Sequence, residues 1–296
     1  MKKTKLYAWG AGLLASIVLV LAVSGGCSTA EAAPLSPVAM DAAWETANPA
    51  AAILAQVVDN KAPWPNTVAP AQFGNWYDFN DVYDYVAGTN WTVTLVEGGS
   101  GEADPALSGT TSVKGGSLNL TGDTNDNDGS ELDQVGEPFQ LDAGDTLVFC
   151  ANITTGTDVT QVDLGFGIGI TDTDWLGDTA VMSDGIWFEK NDGDTNLDLV
   201  CAKDAAATSD YTRQAAVSTL AASTTYKLCF IVQVNSSDAT KARVRAFVNN
   251  AQVYSGVITT DIPDDEGMCI KFGLQQGEAT NLKTVKVNSI GCAQGY

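Results

Sequence analysis

Large apolar side chains occupy every second position of one stretch, which reads Val162-Asp163-Leu164-Gly165-Phe166-Gly167-Ile168-Gly169-Ile170. An alternation with a period of two is typical of a β-strand that has one face in a hydrophobic core. The opposite face carries three glycines and is therefore almost bare backbone. Because glycine inside a strand loses packing and costs conformational entropy, we expect another group to approach this face closely. Neighbouring aromatic side chains and a ligand are the two candidates.

Similar alternating runs continue from about residue 71 to residue 292, separated by clusters of Gly, Asp, Asn and Thr. Apolar periodicity of helix length is absent from this part of the sequence. The runs predict strands at Trp91–Val96, Ser117–Leu120, Thr146–Ile153, Val159–Ile170, Ile186–Lys190, Leu197–Cys201, Thr225–Val234, Ala242–Val248, Gln252–Val257, Met268–Leu274 and Leu282–Ile290. This is enough for two packed sheets. The predicted fold class is all-β, a two-sheet antiparallel jelly-roll sandwich over residues 71–296.

The composition excludes several kinds of chemistry. The 296 residues include no histidine, which removes Ser-His-Asp and Cys-His relays and every imidazole metal ligand. The 15 basic and 36 acidic residues give a net charge of −21. Such a charge opposes phosphate backbones and anionic lipid surfaces, so we expect no nucleic-acid partner and no membrane contact beyond an N-terminal anchor.

The first 32 residues have the pattern of a targeting segment. Lysines at positions 2, 3 and 5 precede the uncharged stretch Leu6–Val23, and Ala30-Glu31-Ala32 offers small residues for a signal peptidase. Two alternatives stay open: lipidation at Cys27 within Ser24-Gly25-Gly26-Cys27, and retention of the stretch as an uncleaved anchor. All three place the rest of the chain outside the cytoplasm, either secreted or anchored to a membrane.

Residues 33–70 are predicted to form an Ala/Pro-rich tether, since six of the nine prolines fall there. One short helix is predicted within it. Pro49 suits a first helical position, Asn60 suits an end, and four apolar residues between them share one face: Ile53, Leu54, Val57 and Val58. We expect this face to dock on the domain.

Five cysteines follow the leader, an odd number for an oxidising compartment: Cys150, Cys201, Cys229, Cys269 and Cys292. Their pairing cannot be deduced from the sequence, and buried free thiols are the alternative. Cys150, Cys229 and Cys269 alternate out of phase with the larger apolar residues of their strands. We therefore expect these three to face away from the main core, and we expect at least one disulfide.

Three stretches together resemble a known family: Gly136–Phe149, the glycine-laced strand Val162–Ile170, and the hairpin Ala242–Val253 with Asn249 and Asn250 at its turn. The hairpin resembles the strand-turn-strand of laminin-G-like and other concanavalin A-like jelly rolls. The three together are most similar to the jelly-roll modules of bacteriophage virion proteins, over roughly residues 75–292. The resemblance implies a sandwich fold and a binding or structural role.

Concanavalin A-like folds also include glycoside hydrolases with paired carboxylates at alternate positions of one strand. Glu131, Asp133 and Glu137 would share a face of an ideal strand, as an acid/base and nucleophile pair requires. The retaining glucanase motif has one or two residues between the Asp and the last Glu, whereas three stand here. A solvated edge strand is therefore the preferred interpretation of this segment, and no catalytic residue is assigned.

The turn after residue 190 is the candidate cation site. Asp192, Asp194, Asn196 and Asp198 alternate oxygen ligands of the kind that Ca²⁺ prefers. An ordinary Asp-Gly hairpin turn is the alternative.

A second candidate site is the acidic loop around Trp175, with Asp174 and Asp178 beside it and Trp187 on the neighbouring strand. Indole rings stack on sugars and other flat ligands, although a tryptophan tucked over the sheet is the plainer alternative. The predicted function is a non-catalytic exported binding or structural module, lectin-like, on a cell surface or virus particle. A glycan or a protein surface would be its partner, and a concanavalin A-like glycoside hydrolase is the alternative.

Overall fold

A computed structural model describes residues 72–79, 87–96, 106–108, 116–122, 125–171, 175–176, 182–207, 210–279 and 281–295. The predicted leader, the tether and the tether helix lie outside the described residues. Among the described residues, none forms a helix with the length and hydropathy that a membrane crossing needs.

The described residues form fifteen β-strands. In chain order these are β1 (Gln72–Asp78), β2 (Trp91–Val96), β3 (Ala106–Ser108), β4 (Ser117–Thr121), β5 (Gly129–Gln134), β6 (Thr146–Thr155), β7 (Val162–Gly169), β8 (Gly185–Lys190), β9 (Asn196–Ala202), β10 (Tyr211–Thr219), β11 (Thr225–Asn235), β12 (Asp238–Val248), β13 (Ala251–Ile258), β14 (Cys269–Gln276) and β15 (Thr284–Gly295).

The strands pair into two antiparallel sheets. Within the described residues, the first sheet has the order β13-β12-β11-β6-β15-β4-β3, and β1 also pairs with β15. The second sheet has the order β10-β9-β8-β7-β14-β5-β2. Neighbours in both sheets are often distant in sequence, as in a jelly roll. The all-β, two-sheet prediction is therefore confirmed.

The main core lies between the sheets, and one face of each long strand supplies it. On β7, Val162, Leu164, Phe166 and Ile168 are at most 2% exposed and belong to this core, as the alternation predicts. Aromatic rings join the two layers: Phe230 of β11 stacks on Phe149 of β6 with a centroid distance of 4.9 Å, and it lies 5.9 Å from Phe188 of β8. The core is thus continuous from one sheet to the other.

All eleven predicted strands are present, with ends shifted by a few residues. Three further strands are β1, β3 and β10, and β5 is the segment that was interpreted as an edge strand. The prediction of a solvated edge strand for β5 is wrong, because β5 pairs with β2 on one side and β14 on the other. Its six residues are all buried.

The hairpin between β12 and β13 turns at two asparagines, as expected. Asn249 and Asn250 have φ angles of 51° and 67°. Both lie in the left-handed region that a two-residue hairpin turn of this kind requires, and asparagine tolerates that region better than most residues.

One disulfide joins Cys150 of β6 to Cys229 of β11, directly across the strand pair. Both cysteines lie outside the main core, in a separate cluster on the far face of the first sheet. Cys201, Cys269 and Cys292 are buried free thiols. Cys201 and Cys292 belong to the main core. Burial raises the pKa of Cys269 to about 12, which keeps that thiol protonated and unreactive.

Removal of the Phe230 ring, which contacts both layers, should destabilise the folded state. Because Phe230 is fully buried, we expect Phe230→Ala to lower the free energy of unfolding by about 3–5 kcal/mol. Urea unfolding measures this. Val257→Ala is the matched control, since Val257 is 54% exposed and its loss should cost little. Equal effects of the two substitutions would contradict the assigned core.

Candidate functional site

The candidate site is the outer face of the second sheet, which turns away from the main core. The strand registers arrange its side chains in rows. One row runs Asp133, Lys271, Gly167, Trp187, Val200 and Arg213 across β5, β14, β7, β8, β9 and β10. The next row runs Glu131, Gly273, Gly165, Glu189 and Asp198. The face therefore carries carboxylates at both sides and glycines along its middle.

We call the glycines of β7 and β14 on this face (Gly165, Gly167, Gly169 and Gly273) the glycine strip. Side chains of the same chain fill the space above it. A Cβ added at Gly165 would overlap the Trp175 ring and Leu176, and one added at Gly169 would overlap the Met182 thioether. Trp175, Leu176 and Met182 are at most 2% exposed. The sequence left two candidates for the group that approaches these glycines, neighbouring side chains and a ligand. The structure places neighbouring side chains there. Missing Cβ atoms on β7 and β14 make the room for them.

The two carboxylates of β5 are occupied. Glu131 is 1% exposed, and its Oε1 accepts hydrogen bonds from the backbone N–H groups of Trp175 and Leu176 at 2.9 and 3.1 Å. Asp133 is 3% exposed and pairs with the Lys271 ammonium at 3.0 Å. Both carboxylates thus hold other parts of the chain in place.

Lys271 contacts both Asp133 and the Trp175 ring. Its side chain is fully buried, its Nζ donates to the Ile170 carbonyl at 2.9 Å, and it lies 5.6 Å from the centre of the Trp175 ring. An ammonium over an indole face is stabilised by the ring quadrupole. The cation therefore neutralises Asp133 and helps to hold Trp175 over the sheet.

A polar cluster at the β8–β10 side of the face was missed by the sequence analysis. Arg213 of β10 pairs with Glu189 of β8 and, at 2.9 Å, with Asp198 of β9. Its guanidinium also donates to the Tyr211 hydroxyl at 2.8 Å and lies 5.4 Å from that ring. Tyr211 contacts Trp187 edge-on. The only sequence signal was the spacing of Tyr211 and Arg213 at alternate positions, which the polar run around them obscured.

Glu189 occupies the inner end of this cluster. Burial raises the pKa of its carboxyl group, while the attraction of Arg213 and a hydrogen bond from Trp187 act in the opposite direction. Burial has the larger effect. Asp198 and Arg213 lie further out, with side chains 15% and 28% exposed. Glu189 is therefore the buried member of the cluster, and Asp198 and Arg213 form its solvent-accessible pair.

The predicted cation ligands after residue 190 have other partners. Asp194 accepts hydrogen bonds from the backbone and side chain of Asn196, both at 2.7 Å. Asp198 points to Arg213 and accepts from the Ala216 backbone N–H at 2.7 Å. Within the described part of the chain, no three acidic or cysteine side chains are gathered for a metal ion. The structure thus pairs Asp198 with Arg213 and Asp194 with Asn196, and a calcium site formed by Asp192, Asp194, Asn196 and Asp198 stays a prediction.

A buried lysine lies close to the carboxylates of this acidic turn. The Lys190 side chain is nearly fully buried, and its Nζ donates to the Thr160 and Val162 carbonyls at 3.0 and 2.6 Å. Burial lowers the pKa of Lys190 to about 8, although the carboxylates of Asp163, Asp194, Asp192 and Asp158 raise it. The ammonium therefore offsets part of the mutual repulsion of these carboxylates.

The structure describes two of the four residues of the predicted aromatic ligand site, Trp175 and Trp187. Trp175 and Trp187 are each 1% exposed and contact one another edge-on at 6.3 Å, within a small apolar cluster on this face. Their rings pack in the chain itself. Asp174 and Asp178 lie outside the described residues. Stacking of a ligand on the two indoles stays a prediction.

The lowered pKa of Lys190 has a measurable consequence. Between pH 8 and 10.5 the unfolded chain binds more protons at this lysine than the folded chain, so its contribution to the free energy of unfolding rises with pH. We expect the wild type to gain stability over Lys190→Met between pH 7 and pH 10 in urea unfolding. Lys286→Met, which removes an exposed lysine, is the control. A constant or shrinking difference would contradict the assignment.

Comparison with known proteins shows the fold. No protein-family model matches the sequence, and no curated protein matches it. An endo-1,3-beta-glucanase from Streptomyces sioyaensis is similar in structure, with a TM-score of 0.53, 15% identity, and coverage of 79% of this chain and 99% of the glucanase. The protein of unknown function SO2946 from Shewanella oneidensis MR-1 has a TM-score of 0.50 and 15% identity, with coverage of 90% and 97%. The chain has the concanavalin A-like jelly-roll fold, as its sequence resemblance implied.

Proposed function

We propose that the chain is an exported, non-catalytic carbohydrate-binding module. The cluster of Tyr211, Arg213 and Asp198 at the β9–β10 side of the second sheet's outer face would bind the glycan. The observation that carries this proposal is a partly exposed arginine–carboxylate pair beside a half-buried tyrosine ring. Export is supported by the leader pattern of residues 1–32.

The chemistry of the cluster suits a sugar. A binding site for a small polar ligand combines aromatic surface with a few placed polar groups. Tyr211 offers ring surface, Arg213 offers donors in a planar fork, and Asp198 offers acceptor oxygens. Glu189 and Trp187 lie directly behind and fix the orientation of Arg213 and Tyr211. Preorganisation of this kind reduces the entropy that binding must overcome.

The state of the β5 carboxylates supports a non-catalytic role. A glycosidase needs one carboxyl group free to protonate the leaving oxygen and another free to attack or to activate water. Glu131 is capped by two backbone N–H groups, and Asp133 is paired with a buried lysine. Neither group faces solvent. Their arrangement is that of structural carboxylates.

Hydrolysis is the second candidate function, favoured by one observation. Glu131 and Asp133 stand at alternate positions of β5 with their side chains on the same outer face, the arrangement that a carboxylate pair requires. The concanavalin A-like fold is compatible with both functions, since the similar Streptomyces sioyaensis protein is a glucanase. The choice therefore depends on whether the β5 carboxylates can be reached.

A binding experiment tests the proposal. We expect the exported chain to bind at least one oligosaccharide on a glycan array, and Tyr211→Ala to weaken that binding by about tenfold, or roughly 1.4 kcal/mol. Calorimetric titration with the selected glycan gives the affinities. Tyr254→Ala is the matched control, since Tyr254 is a half-buried tyrosine of the first sheet and should leave the affinity unchanged. Equal losses in both variants would remove Tyr211 from the site.

A hydrolysis assay separates the two functions. Incubation with β-1,3- and mixed-linkage β-glucans should give no reducing sugar above the background of the Glu131→Gln variant. Turnover by the wild type that Glu131→Gln abolishes would overturn the non-catalytic proposal in favour of the hydrolase.

A further inference from the structure

The outer face of the first sheet carries an apolar patch that is buried. It consists of five side chains on three adjacent strands: Val148 and Cys150 of β6, Cys229 and Ile231 of β11, and Phe247 of β12. The registers place Cys150 opposite Cys229 and Val148 opposite Ile231, with Phe247 beside Cys229. Their exposures range from 1% for Ile231 to 8% for Phe247 and Cys229. We call these five residues the outer patch.

Burial to this degree requires a cover. The second sheet packs on the opposite face of these strands, and no described strand lies over the outer patch. Polar residues on the same face of the same strands, Asn152 and Lys227, keep part of their surface exposed. A flat sheet face leaves the tips of its side chains in water unless another layer lies on it.

The surroundings of the outer patch are cationic in a chain whose net charge is −21. Arg245 lies beside Ile231, and Arg243 and Lys227 lie on the same face one step further along β12 and β11. A segment that packs on the outer patch should therefore have an apolar stripe and negative charge.

We infer that the tether segment Ile53–Val58 of this chain covers the outer patch. Ile53, Leu54, Val57 and Val58 recur at the spacing of one helical face. Residues 33–61 carry three acidic residues, Asp41, Glu45 and Asp59, and one basic residue, Lys61, which gives a net charge of −2. Apolar stripe and charge both complement the outer patch and its basic surroundings.

The chain can reach this position. Strand β1 begins at Gln72 and pairs with β15, which pairs with β6. Three strand spacings, about 14 Å, therefore separate β1 from β11. The residues between Asn60 and Gln72 could span up to about 40 Å when extended. A helix over Pro49–Asn60 would be roughly 18 Å long, enough to lie across the three strands of the patch.

The docked segment would shield the disulfide. Cys150 and Cys229 are 6% and 8% exposed, and both belong to the outer patch. Exchange with an external thiol requires access to a sulfur atom. A segment that lies on the patch therefore slows reduction, and its loss should speed reduction.

Photo-crosslinking of the full chain tests the contact directly. With p-benzoylphenylalanine at position 54, we expect crosslinks within one chain to peptides that contain Val148, Ile231 or Phe247, identified by mass spectrometry. The same group at Gln56, on the opposite side of the predicted helix, is the control and should give few of these crosslinks. Crosslinks from position 54 to a second copy, or to other parts of the domain, would overturn the inference.

Reduction kinetics supply an independent measure. We expect Leu54→Asp to raise the rate at which dithiothreitol reduces the disulfide at least severalfold, measured by thiol labelling and mass spectrometry under native conditions. Gln56→Asp adds the same charge on the opposite side and should leave the rate near that of the wild type. Unchanged rates in both variants, or equal increases, would contradict coverage by this face of the segment.

Discussion

The missing Cβ atoms along β7 and β14 are the constraint on which the second sheet's outer face depends. Gly165, Gly169 and Gly273 leave space that Trp175, Leu176 and Met182 fill. That packing brings two backbone N–H groups onto Glu131 and places the Trp175 ring beside the Lys271 ammonium. A side chain at Gly165 would displace the tryptophan and leave both the carboxylate and the cation with fewer partners.

Two buried lysines and one partly exposed arginine offset carboxylates of this acidic chain. Lys271 pairs with Asp133, Arg213 with Glu189 and Asp198, and the Lys190 ammonium lies among the carboxylates of its turn. Breaking a pair of this kind leaves an uncompensated buried charge, which costs more than the pair itself contributes. The same pairings occupy most of the groups that catalysis or metal binding would need. The partly exposed Tyr211–Arg213–Asp198 cluster is therefore the part of this face open to a ligand.

The sequence was sufficient for the fold and for little of the site. Strict alternation in Val162–Gly169 predicts both the strand and its core face. Strand β5 has one large apolar residue, Leu132, and β10 has a register shift between Gln214 and Ser218, so neither has the alternation that marks a strand. The pairings of Asp133 with Lys271 and of Arg213 with Glu189 depend on the order of strands in the sheet. Local spacing carries no information on that order.

Packing of Trp175 into the sheet by the glycine strip can be measured by ¹⁹F NMR on protein labelled with 5-fluorotryptophan. Trp175→Phe assigns its resonance, and the solvent isotope shift between H₂O and D₂O reports its exposure. We expect almost no isotope shift for Trp175 in the wild type and a clear one in Gly165→Ala, where the added Cβ displaces the ring. A solvent-exposed Trp175 in the wild type, or the same shift in both proteins, would contradict this packing.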